Sequence, residues 1–260
     1  MKIAFFDSGL GGLSVLYQAR QMIPAGEFIF YADKDNVPYG VKSPAEVRQF
    51  VAAAFDFLTA QGAGAVVVAC NTATSVAVRE MRTRYSMPII GMEPAAKKAL
   101  DLDPTRRVLV TATPITVHGD KMKSLMEKVD KHHLIDLLPL PKLVEFAENL
   151  EFNSPAVADY LQNELAPYDL TRYSALVLGC THFNYFKDTL RRILPINMRL
   201  VDGNEGTVRE LMRHLPADYA LSDAVGTTSY FYSGRRVTDS SELERLDFCL
   251  KRLAAMYEIT

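Results

Sequence analysis

The chain has 260 residues, 48% of them apolar, with 29 basic against 31 acidic side chains and a net charge of −2. That length supplies a well-buried core for one large domain or two small ones, and the even charge balance leaves no electrostatic footprint for nucleic acid or a membrane surface. No apolar run approaches a membrane span, "MKIAFFDSGLGG" breaks into Asp and Gly too early for a signal peptide, and three cysteines do not make a disulfide framework, so a cytoplasmic protein with reduced thiols is expected.

The first segments, "KIAFF", "EFIFYA" and "GAVVVA", read as short buried strands separated by stretches of helical periodicity. The helix from Pro44 to about Gln61 is the best marked, with Ser43 as cap, Pro44 in the first turn, Glu46 completing a capping box and Gly62 ending it. A second helix follows Cys70 to about Tyr85, and "MPIIG" feeds a fourth strand. The rhythm then restarts: "RRVLVTA" is a strand, 117–131 a helix, "LIDLLPL" a strand, and Ser154-Pro155 opens a helix toward Tyr168. "SALVLG" and "MRLVD" are further strands. A last helix from about Ser241 places Leu243, Leu246, Leu250, Leu253 and Tyr257 on one face, with Cys249 as a core thiol. The dibasic pairs Arg106-Arg107, Arg191-Arg192 and Arg235-Arg236 lie among acids and read as solvated surface.

Alternating strands and helices mean an α/β fold with mainly parallel sheets, and two such series mean two similar lobes with a site in the cleft between them. Residues 1–95 with about 208–260 are assigned to the first lobe and about 96–207 to the second. Parallel sheets bind ligands beyond the carboxyl ends of their strands. Four polar clusters occupy such ends: Asp7 and Ser8; Cys70, Asn71 and Thr72; Thr113 and Thr116; Cys180, Thr181 and His182. Gly9, Gly11 and Gly12 lack the third glycine of a dinucleotide loop, because Ser14 stands in its place, and are read as allowing close backbone approach.

Cys70 and Cys180 each end a strand and precede a helical stretch, where the helix dipole lowers a thiol pKa from about 8.5 toward neutrality. Two thiols at matching places in two lobes suit a reaction that removes a proton from one face of a carbon and returns one to the other. Metal binding is the weaker reading, since Cys180-x-His182 has no accompanying ligand pair, and a thiol hydrolase leaves one cysteine unexplained. His118, His132, His133 and His214 read as surface or capping residues.

"FDSGLGGLSV", "VPYG", "ACNTAT" and "LGCTHF" resemble, in order and spacing, the motifs of the cofactor-independent glutamate racemases within the wider aspartate/glutamate racemase group. The resemblance runs from Met1 to "VDGNEGT" around Asp202. It implies that Cys70 and Cys180 are acid/base thiols, assisted by Asp7 and His182, with Glu145 in "KLVEF" as a further acid. It also implies that Ser8, Tyr39, Gly40, Asn71, Thr72, Thr113, Thr116 and Thr181 hold the amino acid, that no cofactor or metal is needed, and that a homodimer forms. The implied activity is interconversion of L- and D-glutamate for peptidoglycan synthesis; an aspartate racemase and a non-catalytic amino-acid-binding module are the alternatives. The chain departs from the family's pattern at "YADKDNVPYG", where a Gly-Asp-Thr-Ala-Arg-like run is usual, and at "GMEPA", which is one residue shorter.

Overall fold

The structure is a computed structural model and describes residues 1–92, 95–216, 219 and 226–260, so part of "GMEPA" lies outside the described residues. The chain begins with β1 (Lys2–Asp7), α1 (Leu13–Met22), β2 (Glu27–Ala32), α2 (Pro44–Ala60), β3 (Ala63–Val68), α3 (Asn71–Arg84) and β4 (Ile89–Gly91). It continues with α4 (Ala96–Leu102), β5 (Arg107–Ala112), α5 (Pro114–His118), α6 (Asp120–Val129), β6 (Ile135–Pro139), α7 (Lys142–Glu148), α8 (Pro155–Leu165) and β7 (Tyr173–Leu178). After α9 (Lys187–Ile193) and β8 (Arg199–Val201) come α10 (Asn204–Arg213), β9 (Thr227–Tyr232), β10 (Arg235–Arg236) and α11 (Ser240–Met256).

Two sheets result, ordered β10-β9-β2-β1-β3-β4 and β6-β5-β7-β8. The order β2-β1-β3-β4 is repeated as β6-β5-β7-β8, all parallel, and even the register irregularity at the start of the β1–β3 pair recurs at the start of β5–β7. Each lobe therefore has its switch point beside its first strand, where crossovers leave in opposite directions and open a crevice. The crevices are floored by β1 and β3 in one lobe and by β5 and β7 in the other.

β1 shows why the first sheet is buried on both faces. Ile3 and Phe5 join the core formed with Leu13, Leu16 and α11, whereas Ala4 and Phe6 alternate to the other side against Val47, Val51 and Phe55 of α2. The capping box of α2 forms as expected: Ser43 accepts from the Glu46 N–H, and the Glu46 carboxylate accepts from the Ser43 N–H at 2.9 Å.

Three expectations change. The helix read at 117–131 is broken into α5 and α6, because Gly119 is extended between them. The mainly parallel first sheet also carries an antiparallel edge, β9–β10, and α10 packs on α1 and β4. On α11 the buried stripe is Leu246, Cys249, Leu253 and Met256, while Leu243 and Tyr257 are 39% exposed, which places the packed face about one position away from the one read from leucines. Nor are the dibasic pairs all solvated. Arg107 pairs with Asp136 at 2.6 Å, and Arg191 donates to the Met198 and Pro195 carbonyls.

Phe6 is fully buried between Tyr31, Tyr39 and Phe55, with ring centroids 5.8 to 6.5 Å away. Phe6→Ala is expected to cost about 3–5 kcal/mol, read as a lower urea midpoint at unchanged slope.

Candidate active site

The four polar clusters converge. Asp7 ends β1, Cys70 follows β3, Thr113 follows β5 and Cys180 follows β7, so the switch points of both lobes face one another. A single cavity is lined from the first lobe by Ser8, Tyr39, Gly40, Cys70, Asn71 and Thr72, and from the second by Thr113, Cys180, Thr181 and His182.

The glycines after Asp7 are contact residues. A side chain at Gly9 would strike the Glu148 carboxylate, one at Gly11 would strike Thr181 and His182, and one at Gly12 would strike Asp7 itself. Gly40 is likewise pressed against Thr113. Only hydrogen at Gly9, Gly11 and Gly40 lets the lobes meet at this distance, and only hydrogen at Gly12 lets the turn fold back over Asp7.

Asp7 is fully buried and accepts from the Gly9 N–H at 3.0 Å and the Thr181 hydroxyl at 3.1 Å. Burial raises its carboxyl to about 6, with His182, Gly9 and Thr181 holding it from rising further. Cys70 caps α3, its sulfur accepting from the Ala73 N–H at 3.4 Å and lying 3.6 Å from the Ser8 hydroxyl. The expectation of a thiol pKa near neutrality is corrected here: burial, reinforced by the charge of Asp7, pushes Cys70 up to about 12 and overrides the helix terminus. The thiol is therefore protonated at neutral pH.

Cys180 sits in the other lobe at the start of a 3₁₀ turn, Thr181–Phe186, with its sulfur 3.7 Å from Nδ1 of His182. The opposite ring nitrogen, Nε2, donates to Oε1 of Glu148 at 2.7 Å. Burial opposes charge on this imidazole, but the bonds to Cys180 and Glu148 outweigh it and hold the pKa well above 6.5. Burial also works against ionisation of Glu148, yet His182 and the Leu10 N–H, which donates at 2.6 Å, keep the carboxyl below its ordinary range. His182 and Glu148 thus form a buried ion pair.

Glu145 is not part of this arrangement. It lies on the exposed side of α7, and Glu148, one turn further along, is the acid that reaches the site. A sequence signal existed, since only Glu148 shares a helical face with the buried Val144. Asp33 was also missed. This buried acid follows β2 and accepts from the Tyr39 hydroxyl at 2.5 Å and from Ser233 at 2.8 Å, which ties the Tyr39 ring in place.

Across the cleft the hydroxyls of Thr72, Thr113 and Thr116 bond one another at 2.9 to 3.3 Å, joining the lobes. Asn71 is 5% exposed, and among the described residues neither its amide oxygen nor its amide nitrogen has a partner. Such an amide costs about 1–3 kcal/mol when buried unpaired, and so marks a place for a polar ligand. The cavity itself measures about 10 Å³, room for about one water, so the lobes are closed upon each other. Larger cavities of about 610 and 600 Å³ lie along the far seam, beside α4 and α10, away from both thiols. Among the described residues no group of three His, Cys, Asp or Glu side chains could hold a metal ion, and no helix is long and apolar enough to cross a membrane.

Two repeated lobes, each bringing a strand-end thiol to one shared polar cavity, have the layout of an enzyme that approaches a small polar molecule from two sides. Comparison with known proteins is specific. The chain belongs to the Asp/Glu/Hydantoin racemase family, whose pattern it matches over residues 14–211, and is thus an isomerase of the racemase class. It is 52% identical over 265 residues to the glutamate racemase of Campylobacter curvus, with all of both chains covered. Its fold matches the Thermus thermophilus glutamate racemase solved with β-chloro-D-alanine (TM-score 0.76, 31% identity, 97% of this chain and 92% of that one). It also matches the Escherichia coli glutamate racemase solved with L-glutamate and the activator UDP-MurNAc-Ala (TM-score 0.77, 27% identity, 94% of each chain).

The raised pKa of Asp7 has a consequence for stability. A carboxyl moved from 3.8 unfolded to about 6 folded leaves its stabilising contribution fully present below pH 4 and removes it as pH rises through 6, so that above pH 6 the fold is on the order of 3 kcal/mol less stable than the same group leaves it below pH 4. Asp7→Asn is expected to melt higher than the parent at pH 8, with the advantage fading toward pH 4. A variant less stable at pH 8 would show that the carboxylate's hydrogen bonds outweigh its desolvation.

Proposed function

We propose that the chain interconverts L- and D-glutamate without a cofactor, using Cys70 and Cys180 as the two acid/base groups, and supplies D-glutamate for peptidoglycan in the cytoplasm. The observation that carries this reading is the pair of thiols at equivalent strand ends of the repeated lobes, both lining one cavity. The two sulfurs have different electrostatic surroundings. Cys70 is a protonated thiol beside a buried carboxyl, whereas Cys180 faces the Nδ1 of a histidine that holds its proton. Two acid/base groups reaching a stereocentre from opposite sides are what moving a proton from one face to the other requires.

The hydroxyls of Thr72, Thr113 and Thr116 exchange their mutual bonds for bonds to the α-carboxylate as the lobes open and reclose, and the Asn71 amide gains the partner it lacks among the described residues. Hydrogen bonds to that carboxylate stabilise the negative charge that develops when the α-proton leaves, in a cavity from which water is excluded. Asp7, Ser8 and Thr181 receive the ammonium group, while Tyr39 and Gly40 bound the side-chain end. The binding groups are neutral apart from Asp7 and His182, which suits a dicarboxylate held by hydrogen bonds. The E. coli relative solved with L-glutamate supports the choice of substrate.

Metal-free protein in heavy water, given L- or D-glutamate, is expected to lose the α-proton signal and the circular dichroism of either enantiomer. Silence toward both would sink the proposal, and faster exchange of aspartate would redirect it to the shorter diacid. Since a racemisation has an equilibrium constant of one, any substitution lowers kcat/KM equally in both directions, and the two thiols are told apart by α-deuterium isotope effects. Cys70→Ser is expected to reduce kcat/KM by about 10²–10⁴ and to raise the isotope effect for one enantiomer while suppressing it for the other. Cys180→Ser should give the mirror pattern; the same pattern from both variants would contradict a thiol on each face.

A further inference from the structure

The C-terminal helix lies outside the motifs that carry the proposed chemistry, yet it grips both segments that carry the His182 pair. α11 buries Leu246, Cys249 and Leu253, packing on α1 of the first lobe and on the Thr181–Phe186 turn of the second. From its polar edge, Nη2 of Arg245 donates to the carbonyl of Glu148, the last residue of α7. Two helical turns on, Arg252 donates to the Tyr185 carbonyl through Nε at 3.0 Å and Nη2 at 2.8 Å, and to Asp188 at 2.6 Å. Phe152 fills the space between: it stacks on Tyr185 at 4.7 Å and lies under the Arg252 guanidinium at 5.6 Å.

We propose that Arg245 and Arg252 are positioning residues, which fix the backbone under Glu148 and under the Cys180–His182 turn so that the sulfur, imidazole and carboxylate stay in line. The carbonyl at the end of α7 has no acceptor role left within its own helix, so an arginine is a strong and directional partner for it. The turn bearing His182 is a short 3₁₀ segment with poorer internal bonding, and its Tyr185 carbonyl is held by a bidentate fork. Both contacts act on main chain, so they set where the catalytic side chains begin and, through that placement, which bonds the His182 ring makes. Misplacing reacting groups by about 1 Å costs roughly a hundredfold in rate. Because α11 also packs on α1, it references the second lobe's acid/base set to the lobe that carries Cys70.

This inference rests on the two-thiol reading, and its test separates the two. Arg245→Gln and Arg252→Gln are compared with Arg191→Gln, which removes an arginine that grips the Met198 and Pro195 carbonyls, away from the cavity lining. The positioning variants are expected to lower kcat/KM about ten- to a hundredfold and to skew the α-deuterium isotope effects in the sense of Cys180→Ser. Arg252→Lys should recover part of the loss, and Arg191→Gln should lower the melting temperature without any skew. An unskewed pattern in the positioning variants, or a skew in the sense of Cys70→Ser, overturns the proposal. Nitrogen-15 spectra of the His182 ring give a readout independent of turnover: unchanged ring signals in Arg245→Gln and Arg252→Gln overturn the positioning role even if the parent proves to have another substrate. Should a Gln variant not fold, Arg245→Lys and Arg252→Lys carry the same measurements.

Discussion

Everything in this cleft depends on the contact between the glycine turn after β1 and the Thr181–His182 turn after β7. There the Leu10 N–H donates to Glu148, the Tyr185 hydroxyl donates to the Leu10 carbonyl at 2.8 Å, and Thr181 donates to Asp7. Three side-chain hydrogens at Gly9, Gly11 and Gly12 are what the geometry tolerates, since any methyl group would overlap Glu148, His182 or Asp7. The lobes are thus joined through the same atoms that surround the two sulfurs.

That joint explains the charges. A buried carboxylate or imidazolium is costly, and both are present here only because each is bonded on more than one side. Glu148 is shared between an imidazole and a backbone N–H, and His182 between a carboxylate and a sulfur. Asp7 is the least compensated of the three, and its raised pKa records that imbalance. Stability withheld at Asp7 and at the unpartnered Asn71 amide is a cost that a bound amino acid, with its ammonium and carboxylate, is chemically suited to relieve.

Closure has a similar logic. The Thr72, Thr113 and Thr116 hydroxyls satisfy one another when the lobes meet, so closure does not bury these hydroxyls unpaired. The same groups are placed to trade partners with a carboxylate. An opening motion of the lobes is required by the volume alone, because about 10 Å³ does not admit any amino acid.

Much of the molecule was readable from residues close together in the chain. Strand and helix rhythm, the capping box at Ser43 and Glu46, and the polar residues at four strand ends are local patterns, set by side-chain periodicity and by which groups can end a strand. Pairing of Leu10 with Glu148, of Asp7 with Thr181 and of Arg245 with the end of α7 links positions far apart in sequence, and helical spacing on α7 marks an inward face without encoding the partners that face meets. The same holds for Cys70: adjacency to a helix start argued for a lowered pKa, but complete burial beside Asp7 raises it, and burial is a property of the packed whole. Sequence determined the elements and the chemistry on offer, through local bonding and periodicity; tertiary packing alone decided which of those groups meet and in what state of charge, because desolvation and long-range contact exist only once the lobes have closed.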